Sequence, residues 1–102
     1  DFFEKKDAEL KNTIEWIIPN AQKNMMEPIL VTIEPGGSTY PDNPHEGEEF
    51  GYVLRGSLEI RIGTQVYRAK KGESFYFTPS QKHFITSQQG AVVLWVSTPP
   101  SF

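Results

Sequence analysis

The chain holds two histidines, His45 and His83, and the first lies shortly before Glu49 in the stretch PDNPHEGEEFGYVLRG, residues 41–56. Two imidazoles and one carboxylate form the donor set of a mononuclear metal centre with open positions. Such a set suits manganese, iron, cobalt, nickel or zinc, and spacing alone does not choose among them. In an extended segment residues of equal parity share a face, so Asn43, His45 and Glu49 are expected to point the same way, with Gly47 bending the path between them. His83 opens a later apolar stretch just after Pro79-Ser80, and a second strand could deliver it to the same place. Asn43 would be a weak fourth ligand or a hydrogen-bonding neighbour, because an amide oxygen is a poorer ligand for these metals than imidazole. Without metal, the same side chains would form a polar pocket for a polar or cationic effector. Glu46 and Glu48 are either solvated loop charge or a means of drawing in a cation such as a polyamine. Tyr40, Glu48 and Tyr76 are candidate residues of the ligand pocket; no catalytic residue stands out.

These side chains need a frame of short strands. Leu58, Ile60 and Ile62 alternate with Ser57, Glu59 and Arg61, the pattern of a half-buried strand. TIEWII (13–18), PILVTIE (28–34), EFGYVLR (49–55), SLEIRIG (57–63), QVYRA (65–69), SFYF (74–77), HFITS (83–87) and AVVLWVS (91–97) are separated by turn residues. AQKNMM (21–26) reads as a short helical turn, and the closing TPPSF is not the interior of a regular strand. About eight to ten strands at a spacing of roughly ten residues make an all-β sandwich or barrel. The stretch around Phe50, Tyr52 and Leu54 is apolar on both faces, so one face lines the barrel and the other meets the N-terminal strands or a second subunit.

Length and composition bound what this frame can do. With 102 residues the chain is one domain. It has no cysteine, which removes disulfides and thiolate metal sites and fits a cytoplasmic protein. Ten basic against thirteen acidic residues give a net charge of −3, and no basic face is present to neutralise phosphates. DNA could be a partner only through a separate domain. No apolar run reaches the ~20 residues of a membrane-spanning helix.

The same residues resemble the cupin superfamily. Its first motif is Gly, five residues, His-x-His, three or four residues, Glu, six residues, Gly. Here Gly37, Asn43-Pro44-His45, Glu49 and Gly56 stand at those spacings. Gly72 and His83 match the second motif, with Thr78-Pro79, Ser80 and Ser87 at positions where Pro, Gly and Asn are usual. The resemblance covers roughly residues 28 to 97 and implies a double-stranded β-helix, the small jelly-roll barrel, with the site inside. PHEGEEFGYVLRG, KKGESFYFTPSQKH and VLWVSTPPSF are also similar to the C-terminal cupin of Xre-type helix-turn-helix regulators. That likeness implies a domain that senses a small-molecule effector and forms a homodimer, while an N-terminal half binds DNA. On this reading residues 1–12 are an arm or linker end, and residues 13–102 are a single cupin domain of a longer chain. A second reading is a small metal-dependent cupin enzyme, a dioxygenase or isomerase using Tyr40, Tyr52 or Tyr76 as acid or base, and a third is a purely structural dimerisation module with a vestigial pocket.

Overall fold

A computed structural model describes residues 3–18 and 23–100. Nine strands run through them: β1 (Phe3–Asp7), β2 (Asn12–Trp16), β3 (Glu27–Ile33), β4 (Gly37–Ser38), β5 (Glu48–Ile62), β6 (Gln65–Lys70), β7 (Ser74–Phe77), β8 (His83–Ser87) and β9 (Ala91–Thr98). Every pairing is antiparallel. One layer has the order β1-β2-β3-β9-β5-β7 and the other β4-β8-β5-β6. The expected double-stranded β-helix therefore forms, hinged on β5, which belongs to both layers.

Two strands expected around Gly56 are one. β5 continues through that glycine, and its register against β9 shifts between Val53 and Arg55. A bulge bends and twists a strand without ending it, which lets a single strand turn the corner between layers. The N-terminus also differs from the expected arm: Phe3–Asp7 pairs with β2 as an edge strand, Lys5 opposite Ile14. The expected helical turn at 21–26 begins outside the described residues.

Alternation decides what each face carries. In β3 the odd residues Ile29, Val31 and Ile33 are buried and the even ones half-buried. Val53, Leu58, Ile60, Ile85, Val93 and Trp95 complete the core from both layers. Each such side chain contributes about 1.5–3 kcal/mol when fully buried. The inner rows match in register: Trp16, Ile29, Trp95, Gly51 and Phe75 lie side by side across five strands. Gly51 is required there, because a Cβ would sit 2.0 Å from the Phe75 ring. The empty position lets Phe75 meet Trp95 edge-on, with centroids 5.9 Å apart. Among the described residues no helix is long and apolar enough to cross a membrane.

Candidate functional site

Four side chains from four places in the chain meet at one end of this core. Glu49 comes from the start of β5 and is 1% exposed; His83 opens β8 and is also 1% exposed. His45 sits on the connection before β5, and its amide donates to the Pro79 carbonyl at 2.9 Å. Gly47 then turns the chain with φ +106°, where a Cβ would collide with the Thr98 carbonyl oxygen at 1.6 Å. Only glycine brings the connection this close to β9 while both His45 and Glu49 face inward.

The fourth member is Asp42. Its backbone exchanges two hydrogen bonds with His83, at 2.8 and 3.0 Å, forming an isolated bridge. The bridge sets the Asp42 carboxylate 3.8 Å from His83 Nε2. One ligand atom from each of Asp42, His45, Glu49 and His83 lies within 4.8 Å of the others. The parity argument chose Asn43 for this place, and Asn43 is exposed. Pro41 and Pro44 interrupt the approach to β5 and residues 43 to 47 form no regular strand, so alternation does not carry through them.

The hydrogen bonds define the protonation of the site. His45 Nδ1 donates to the Glu46 carbonyl at 2.9 Å, and His83 Nδ1 donates to the Gln81 carbonyl at 2.8 Å. Carbonyls only accept, so each ring carries a proton on Nδ1. Both Nε2 atoms then face the same oxygen, Glu49 Oε2, at 2.8 and 3.1 Å. Two lone pairs against a carboxylate oxygen would repel, so a proton or a cation between the rings and Glu49 is what makes these contacts favourable. Glu49 Oε1 accepts from Trp95 Nε1 at 2.8 Å, which fixes the carboxylate plane. Burial opposes charge on His83, but hydrogen bonds to Glu49 and Gln81 and the charges of Glu49 and Asp42 outweigh it, and its pKa is raised above 6.5. Burial raises the Asp42 pKa above 3.8, against the pull of His83.

This donor set fits a divalent metal. The two Nε2 atoms and the two carboxylates converge, and each imidazole is already oriented by a carbonyl on its other nitrogen, the usual outer partner of a metal-bound histidine. An ion with bonds of about 2.0–2.2 Å keeps its ligands within ~4.4 Å of one another, so the cluster needs a contraction of a few tenths of an ångström.

The cluster forms part of the wall of a cavity of about 370 Å³. Asp42 and His83 belong to both, and Trp95, the partner of Glu49, lines the cavity beside them; Ile14, Trp16, Ile29 and Val31 supply an apolar wall, and Lys5 and Tyr40 also line it. Of the three expected pocket residues, Tyr40 alone lines this cavity. Tyr76 donates to Glu48 Oε2 at 2.8 Å on the outer surface. Glu46 is exposed as well. A groove of about 470 Å³ between the β5–β6 hairpin and the β8–β9 turn is lined by Glu59, Arg68 and Glu73, away from the cluster.

Comparison with known proteins places the chain in a family. Residues 29–97 match the Cupin_2 family, described as a cupin domain. The chain belongs to the cupin family. It is 30% identical over 76 residues to the HTH-type transcriptional regulator PuuR of Escherichia coli K12, covering 72% of this chain and 41% of that regulator. The chain thus spans well under half the length of this curated relative. A solved HTH_3 family transcriptional regulator from Vibrio cholerae superposes with a TM-score of 0.81 at 21% identity, over 96% of this chain and 56% of that one. The Cupin_2 domain of an XRE family regulator from Enterobacter cloacae superposes with a TM-score of 0.76 at 16% identity, over 89% of this chain and 99% of that domain. The domain is similar to the cupin domains of such regulators.

Proposed function

We propose that this domain is the effector-sensing and dimerising part of a cytoplasmic transcriptional regulator. The observation that carries the reading is the cavity whose wall includes Asp42 and His83 of the cluster. Asp42, His45, Glu49 and His83 would hold a divalent transition metal, zinc, manganese, iron or nickel. When bound, it would supply a Lewis-acidic centre with positions open to a small molecule. Trp16, Ile29 and Val31 contact the apolar part of the effector, and Trp95 holds Glu49 in place. DNA contact belongs to a separate domain, in keeping with the net charge of −3 and the likeness to PuuR.

The outer face of the sheet supports pairing. Phe50, Tyr52, Leu54 and Tyr76 are exposed by 39–59%. Phe50 and Tyr52 lie in register with the half-buried Val96 and Leu94 of β9. A second copy is the fitting occupant, because helix-turn-helix units read two half-sites as a pair.

The test is metal analysis of the untagged chain beside His83→Ala. Near one equivalent of one transition metal, lost in the variant, supports the cation reading. No metal after reconstitution with each of the four ions overturns it. A small metal-dependent oxygenase or isomerase is favoured by the same cluster and cavity. Oxygen consumption by the reconstituted chain, or conversion of an added keto acid, would move the reading there.

A further inference from the structure

At the mouth of the cavity stands Lys5, an exposed residue of the edge strand β1. It continues the row Lys5, Ile14, Val31, Val93, whose last two members are buried. It lines the cavity beside Ile14, Trp16, Ile29 and Val31. Its neighbour Lys6 points the other way and pairs with Glu4 at 3.7 Å. Among the described residues no carboxylate pairs with Lys5. The mouth of the cavity at β1 therefore carries an exposed ammonium group beside an apolar wall.

The other charged groups on the cavity are Asp42 and His83, and they belong to the cluster. β1 stands three strands from β9, which carries Trp95. That is about 14 Å at the usual strand spacing. The cavity thus has a cationic end at β1, an apolar middle, and an inner end that includes a carboxylate. A ligand carboxylate at the inner end would meet Asp42, whereas at the outer end it would meet Lys5. Glu46 and Glu48, the acids that suggested a cationic ligand, do not line the cavity.

We propose that the effector is a small organic acid with an apolar body, its carboxylate on Lys5 and its body between Trp16 and Ile29. This deepens the effector reading above and rests on it. Lys5 is a specificity residue supplied by the edge strand. A volume of about 370 Å³ lies toward the small end of the ~300–1,000 Å³ range of ligand pockets, so the body is a branched chain or a single ring.

The test pairs acids with amines of the same shape. 4-Methylpentanoate and 3-phenylpropanoate are compared with 4-methylpentylamine and 3-phenylpropylamine, by thermal shift and calorimetry, with and without zinc. The acids are expected to bind and the amines not. Lys5→Met should weaken acid binding by about twofold to fivefold, the loss of one solvent-exposed charge partner. Lys5→Arg should retain most of it, and Lys6→Met should leave it unchanged. If the amines bind and the acids do not, or the acids bind Lys5→Met as well as the parent chain, the effector class is overturned while a ligand pocket stands. If neither series binds at millimolar concentration in either metal state, the effector reading fails with it.

Discussion

The two faces of β5 reverse the ordinary arrangement of a strand. Its inner face begins with Glu49, a carboxylate buried to 1% exposure, and its outer face shows Phe50, Tyr52 and Leu54 to solvent. A carboxylate inside and aromatic rings outside both oppose stability in an isolated subunit. Each face is incomplete in its own way. The inner one sets two imidazoles against one carboxylate oxygen, and the outer one leaves apolar side chains about 40% exposed. The contrast is between a site defined by hydrogen-bond geometry, where single atoms matter, and a surface defined by area, where they do not.

The sharpest way to break the contrast is to remove Glu49. Glu49→Ala leaves both imidazoles and the Trp95 N–H without their shared acceptor. Removing one partner of a buried charged cluster costs about 3–5 kcal/mol, so the metal-free variant should lose that much in urea unfolding and bind no metal. Phe50→Ala, one residue away on the outer face, should lose far less. Equal losses would mean that Glu49 is merely packed. Next in size is Gly51→Ala. Its Cβ would meet Phe75 at 2.0 Å, and overpacking costs about 1–3 kcal/mol. Phe75 also braces Trp95, which holds Glu49, so metal affinity should fall with stability. Unchanged affinity in equilibrium titrations would uncouple the aromatic row from the cluster.

This row and the cluster were unequally legible in the sequence. The alternation of the strands carried the all-β reading and the spacing of Gly37, His45, Glu49 and Gly56 carried the cupin resemblance, whereas His45 reaches the cluster from an irregular connection rather than from a strand. His83 followed from the later motif. Asp42 did not: it reaches the cluster through an isolated bridge to His83 in a proline-bracketed segment, where parity has no physical basis. Trp95 was expected in the core or an interface, but its hydrogen bond to Glu49 depends on long-range register that no local pattern encodes. Lys5 lay in a stretch expected to be an arm. Its charged composition concealed a strand that forms only because β2 offers a free edge. Gly56 misled in the opposite sense, since a bulge next to it turns one strand into the appearance of two.

A pH titration separates the two states of the inner face. The raised pKa values of His83 and Asp42 mean that the folded metal-free chain holds more protons than the unfolded one. Stability from each group is full below its unfolded pKa and declines as pH rises through the raised folded value. For His83 the decline therefore runs from about its ordinary 6.5 upward, with a slope of at most about 1.4 kcal/mol per pH unit for each extra proton. With zinc present the trend should reverse, because protons compete with metal for the same Nε2 atoms. Unfolding curves at several pH values, with chelator and with zinc, should cross. Parallel curves would show that the cation does not occupy the proton positions.

The outer face should yield the smallest change in subunit stability and the largest in assembly. Leu54 is 40% exposed, so Leu54→Lys alters the stability of an isolated subunit by only about 0.5 kcal/mol. In a paired molecule the same lysine places an ammonium group in a desolvated apolar contact with its twin. Sedimentation equilibrium should give the parent chain a mass of twice 11.6 kDa and the variant a single 11.6 kDa species. Metal binding should survive in the variant, because β5 presents Glu49 and Leu54 to opposite sides. A parent chain that sediments as a monomer would leave the exposed aromatics without a second copy to explain them. A variant that stays dimeric would place the contact elsewhere on the barrel.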